Sequence, residues 1–235
     1  MRKLLALALA LLLCLSMTAC VDGGYWMASG HEFTQEEFED LFGDIMMLPT
    51  YIPEDLRDDG NVVVSGDAHI ARGHGERQNP SKLDYTKKED IKYYDFCSLG
   101  YQIPSEKIGE ISAKENKVVS FGISRGLRDQ QPIDLDVYPN TQKTNRGDFY
   151  WKDESRDMMG SSWNHEEQKT DITMLYAGHL IGVRIEINEV IYEVGIQFVY
   201  DKTAYTKAEF EELRDSYLTE LVKVIESLKY TNEGD

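Results

Sequence analysis

Between Asp171 and Tyr200 apolar and polar residues alternate so regularly that an antiparallel sheet with one dry face is the arrangement that satisfies them. Ile181, Val183, Ile185 and Ile187 share one side, with Gly182, Arg184 and Glu186 on the other. Val190, Tyr192, Val194, Ile196 and Phe198 then oppose Glu193, Gly195 and Gln197. Successive side chains of a strand point to opposite faces, so a period of two buries one row and wets the next. Gly178-His179 and Asn188-Glu189 have the length and residue types of two-residue hairpin turns, which divides the segment into a three-strand meander.

A dry sheet face must be covered, and the flanking sequence supplies helices for it. Tyr205-Thr206-Lys207-Ala208-Glu209-Phe210 carries a staple residue, a Thr206 N-cap and Glu209 closing a capping box. Phe210, Leu213, Tyr217, Leu221, Val224, Ile225 and Leu228 follow at helical spacing, opposite Glu211, Glu212, Asp215 and Lys223. The same grammar opens the domain: Thr34 caps, Glu37 closes the box, Phe33 and Phe38 form the staple. Phe38, Leu41, Phe42, Ile45 and Met46 share a face of a helix that must end before Pro49. Between these helices the period is two, with strands expected at Asn61 to Val64, Asp67 to Arg72, Ile91 to Tyr101, Lys117 to Ser124 and Ile133 to Tyr138. The expected fold is α+β: an antiparallel sheet of about six to eight strands, ending in the meander and packed by an N-terminal and a C-terminal amphipathic helix.

One stretch breaks the rhythm. From Thr141 to Thr170 the chain is strongly polar, with Phe149-Tyr150-Trp151 and Trp163 set among charged residues, and reads as a long loop, an insertion or a short hairpin. Tryptophan in polar surroundings is a common anchor of recognition surfaces, so Arg146, Tyr150, Trp151 and Trp163 form a candidate binding loop. The alternative is one more strand at Phe149 to Trp151, with Trp163 filling the edge of the core.

The first twenty residues address the chain to a compartment. Arg2 and Lys3 precede an apolar run from Leu4 to Leu15, too short to span a bilayer, followed by small or polar residues, as in a secretory signal peptide. Met17-Thr18-Ala19-Cys20 resembles the lipobox of bacterial lipoproteins, with Met17 where leucine is commonest. The resemblance implies a thioether-linked diacylglycerol on Cys20, cleavage before it, and a protein held on the extracytoplasmic face of a membrane by its lipid. It implies 1–19 as signal; the three glycines that follow read as a short tether over 20–32, and the remaining length fits a single domain, 33–235, with a polar loop or insertion at about 141–170. Loss of Arg2 and Lys3 takes the net charge from −17 to −19, which repels nucleic acid and leaves that class of partner aside. With Cys14 removed and Cys20 modified, Cys97 has no thiol left to pair with.

In element order, and in the closing Ile225-Glu226-Ser227-Leu228-Lys229-Tyr230, the chain resembles PsbP-like and Mog1-like domains. That resemblance implies an antiparallel sheet between helices and a binding or assembly accessory.

Residues that carry chemistry are few. His69, His74 and Glu76 in HIARGHGER are donors a transition metal accepts, but a polar strand end and loop is the plainer reading, and no metal or cofactor is expected. His165-Glu166-Glu167 lacks the two-histidine spacing of a zinc helix, and no nucleophile elbow or phosphate loop occurs. The acidic run from Glu54 to Gly60 lacks the ligand spacing of a calcium loop. Cys97, within KYYDFCSL, reads as a buried inert thiol. Arg146-Gly147-Asp148 spells a tripeptide that integrins read, but three residues recur by chance. The functional expectation is a lipid-anchored module that binds a protein, peptide or envelope component. A surface-anchored hydrolase using a carboxylate or a histidine-held metal is the alternative.

Overall fold

The computed structural model describes residues 27–57, 62–71, 84, 86–104, 107, 116–127, 130–156, 158–164 and 169–232. At 27–31, 69–71, 158–164 and 169–176 it describes the backbone alone. In chain order the elements are β1 (Met27–Phe33), α1 (Gln35–Phe42), β2 (Leu48–Pro49), β3 (Val63–Ala71), β4 (Phe96–Gln102) and β5 (Lys117–Gly126). They continue with β6 (Asn140–Thr144), β7 (Gly147–Ser155), β8 (Met158–Asn164), β9 (Lys169–Ile187), β10 (Val190–Tyr200), α2 (Lys207–Glu226) and β11 (Leu228–Lys229). Among the described residues the protein is sheet-rich and mostly β, with α1 and α2 as its longer helices.

Eight strands run antiparallel in the order β1-β3-β4-β5-β10-β9-β7-β6, and a ninth, β8, pairs with the first part of β9. β2 and β11 form a separate two-stranded sheet. The alternation read from the sequence sets the layers. Ile181, Val183, Ile185, Tyr192, Val194, Ile196 and Phe198 are all buried under the helices, and their alternate neighbours form a second face that neither described α-helix covers. Asn188 and Glu189 make the β9–β10 turn with φ of 53° and 65°, the positive values a type I′ hairpin requires.

Both helices start as their sequences dictate, each with a closed capping box, Thr34 with Glu37 and Thr206 with Glu209. Phe38 and Phe42 stack at 4.8 Å on α1, with Phe33 edge-on to both. A Cβ on Gly66 would lie 2.4 Å from the Phe38 ring, so only glycine lets α1 settle on β3. On α2, Tyr217, Leu218, Leu221, Val224 and Ile225 are buried, and Tyr217 stacks on Phe198 at 4.2 Å.

Several expectations are corrected by pairing partners that the sequence does not reveal. Gly178-His179 is no turn: β9 runs straight through it, because Val199 and Phe198 pair on one side and Ser155 pairs with His179 on the other. The polar segment from Thr141 to Thr170, expected as a loop, an insertion or a short hairpin, is chiefly strand, contributing β6, β7 and β8 before β9 begins, and Phe149 to Trp151 lie in β7 as the alternative reading had them. Asn61 to Val64 and Asp67 to Arg72 are not two strands, since β3 passes through Ser65 and Gly66. Residues 88–93 form a 3-10 helix, so the strand expected from Ile91 begins at Phe96. Ile133 to Tyr138 is not a strand, because the amides of Val137 and Tyr138 turn back to the carbonyl of Asp134. The tether loses its second half to β1, which pairs with β3 along its length.

Candidate functional site: the open face of the sheet

Cross-strand register brings residues from distant parts of the chain into three rows on the uncovered face. The central row reads Ser65, Gly100, Gly122, Gly195, Gly182 and Lys152, each directly opposite the next. On one side lies the row Asp67, Ser98, Ser124, Glu193, Arg184 and Tyr150. On the other lies Val63, Gln102, Ser120, Gln197, Leu180 and Glu154. Four adjacent strands thus place glycine at one level, opening a lane about 14 Å long if neighbouring strands sit about 4.8 Å apart.

The fold does not require these glycines. A Cβ would find its nearest neighbour at 3.9 Å on Gly100, 3.8 Å on Gly122 and 3.7 Å on Gly195, and nothing within 4 Å on Gly182. None of the four adopts a left-handed backbone conformation. Glycine inside a regular element costs roughly 0.5 to 1 kcal/mol relative to alanine, so four in register give up about 2 to 4 kcal/mol without a packing return. Glycine in such a position commonly marks where another molecule approaches the backbone.

The lane floors an open cleft of about 480 Å³. Residues 130–138, the described part of the connection from β5 to β6, cross this face and supply a wall. Gln130 ties it down, its amide Nε2 donating to the Gly126 carbonyl at 2.7 Å while its Oε1 accepts from the Ile191 amide at 2.8 Å. At the other end the Tyr138 ring sits 5.2 Å from Lys152 Nζ and 5.2 Å from the Arg184 guanidinium carbon. Burial, then the nearby Glu193 carboxylate, push the Tyr138 phenol above its ordinary range. Arg184 pairs with Glu193, which leaves its Nε sealed from solvent and without an acceptor. Lys152, Arg156 and Arg184 are balanced by Glu154, Glu193 and Asp67, so a strongly acidic protein presents a locally neutral, hydrogen-bonding surface here.

No protein-family model, curated protein or solved structure matches this chain.

The structure separates the residues that the sequence grouped as a binding loop. Trp151 is only 9 % exposed and faces the helices, with the Arg214 guanidinium carbon 5.3 Å from its ring centroid. Tyr150 points to the opposite face, beside Arg184. Arg146 sits in the tight β6–β7 turn and donates to the Leu228 carbonyl, while the adjacent Asn145 amide donates to Glu226 at 3.1 Å. That engagement makes Arg146 a clasp on the C-terminal strand rather than a free recognition group. Trp163 pairs with Thr170 in the β8–β9 hairpin, its side chain outside the described residues. So are Cys20, His74, Glu76 and the side chain of His69, whose backbone pairs with Phe96 in β4. Among the described residues no group of three or more His, Cys, Asp or Glu is placed to hold a metal. Cys97 lies buried with its Sγ 3.5 Å from Met46 Sδ, and burial pushes the thiol up to about 12.

His179 is not the turn residue that its place after Gly178 predicts. It is 6 % exposed on β9, its Nε2 2.9 Å from Asp153 Oδ2, which Arg214 approaches at 3.8 Å. Ser155 stands opposite it, completing the residue types of a nucleophilic triad. The geometry denies that role. Nδ1, the nitrogen left to act as base, is sealed and makes no hydrogen bond, and the Phe198 and Phe210 rings crowd the imidazole at 5.4 and 4.9 Å. The cluster instead joins β7, β9 and α2.

The signal for the open face was present but unreadable. Gly182 and Gly195 fall on the outward positions of the alternation, yet nothing local says that Gly100 and Gly122 share their level.

Proposed function

We propose that this protein is a lipid-anchored extracytoplasmic binding or accessory module of the bacterial cell envelope, an α+β domain that holds its ligand on the open sheet face. The observation that carries the reading is the cleft floored by Gly100, Gly122, Gly195 and Gly182, whose missing side chains the fold itself does not need. Binding sites combine a concave surface with a few convergent polar groups, and the Tyr138, Lys152 and Arg184 cluster beside the lane supplies them. The lipobox-like segment ending at Cys20 supports the envelope location, and nothing in the site supports bond-breaking chemistry.

Filling the lane tests the reading. Gly182→Phe and Gly195→Phe place bulky, strand-compatible side chains where the backbone now lies bare. In a Cys20→Ala background, which removes the lipid as a cause of cosedimentation, the protein should still be captured by a purified cell-envelope fraction, and both variants should lose at least about tenfold in that capture while melting no lower than the parent. Unchanged capture by both variants would remove the open face as the site.

A further inference from the structure

We infer that the open cleft takes a linear glycan lying across the strands, an assignment that rests on the binding-module reading above. Two properties of the cleft select this class over an extended peptide. First, the floor has no main-chain groups to offer. The lane crosses the middle of the sheet, from β4 to β9, where backbone N–H and C=O groups are already committed to neighbouring strands. A peptide bound by strand addition needs a free sheet edge and runs parallel to the strands.

Second, the strand positions beside the lane lack what peptide side chains need. Across the rows flanking the lane, Val63 and Leu180 are the apolar positions, and the rest are hydroxyl, carboxamide, carboxylate, guanidinium or phenol groups. Ser98, Ser124 and Glu193 on one side face Ser120 and Gln197 on the other, so donors and acceptors lie along both flanks of a flat strip. A sugar ring has this pattern in complement: hydroxyls around its rim and a C–H face that lies on the exposed backbone of a glycine floor.

The test uses full-length protein and soluble β-1,4-linked glucose and N-acetylglucosamine hexasaccharides, their disaccharides, and an extended ten-residue peptide of Ser, Gln and Val. Calorimetry should show at least one hexasaccharide binding about tenfold or more tighter than its disaccharide, because the lane spans several rings. Gly122→Phe and Gly195→Phe should abolish that binding without lowering the melting temperature. Preference for the peptide, or saccharide binding that survives both Phe variants, overturns the glycan assignment. If the Phe variants lose envelope capture but no saccharide binds, the binding module stands and the glycan falls. If capture ignores the Phe variants, both fall together.

Discussion

The guanidinium of Arg214 on α2 lies over the indole of Trp151 on β7, its carbon 5.3 Å from the ring centroid. This contact joins the closing helix to a strand that looks, in sequence, like a recognition loop. Trp151→Ala should therefore cost about 3 to 5 kcal/mol, as core aromatics do, whereas Arg214→Ala should cost about 0.5 to 2 kcal/mol. Urea unfolding of the two variants checks the order, and a Trp151→Ala midpoint equal to the parent's would place the indole outside the core.

Two glycines predict opposite responses to one methyl group. A Cβ on Gly182 meets nothing within 4 Å, so Gly182→Ala should leave stability unchanged or raise it by roughly 0.5 to 1 kcal/mol. A Cβ on Gly66 would come within 2.4 Å of the Phe38 ring, so Gly66→Ala should cost about 1 to 3 kcal/mol or displace α1. Thermal melts of both variants decide it, and equal melting temperatures would contradict the assignment of the two faces.

Stability should collapse on the alkaline side. Burial pushes the Cys97 thiol and the Tyr101 and Tyr192 phenols up to about 12, from ordinary values of 9.0 and 10.0. Folded protein holds these protons while the unfolded chain releases them, so the contribution is complete below pH 9 and is lost as pH rises toward 12. Melting temperature should fall steeply across that window, and Cys97 should resist thiol reagents at pH 8 until the protein unfolds. Rapid labelling of the native protein would show that the thiol is not buried.

The anchor is tested separately from the fold. Cys20→Ala should move the protein from the membrane fraction to the soluble fraction with an unchanged melting temperature, since two acyl chains give a stable hold that one does not. Retention of the variant on membranes after a high-salt wash would assign the attachment to something other than lipid.

What sequence alone determined is local. The capping boxes at Thr34 and Thr206, the Asn188-Glu189 turn and the alternation from Ile181 to Phe198 each specify their structure through neighbours a few residues apart, and each appears in the fold as read. Partners far along the chain decided the rest. Gly178-His179 became mid-strand because Val199 and Ser155 hold it on both sides, and Trp151 became core because Arg214 and α2 close over it. The glycine lane belongs wholly to this second class: Gly100, Gly122, Gly182 and Gly195 share a level only through register between four strands, and register is a property of pairing, which no local spacing contains.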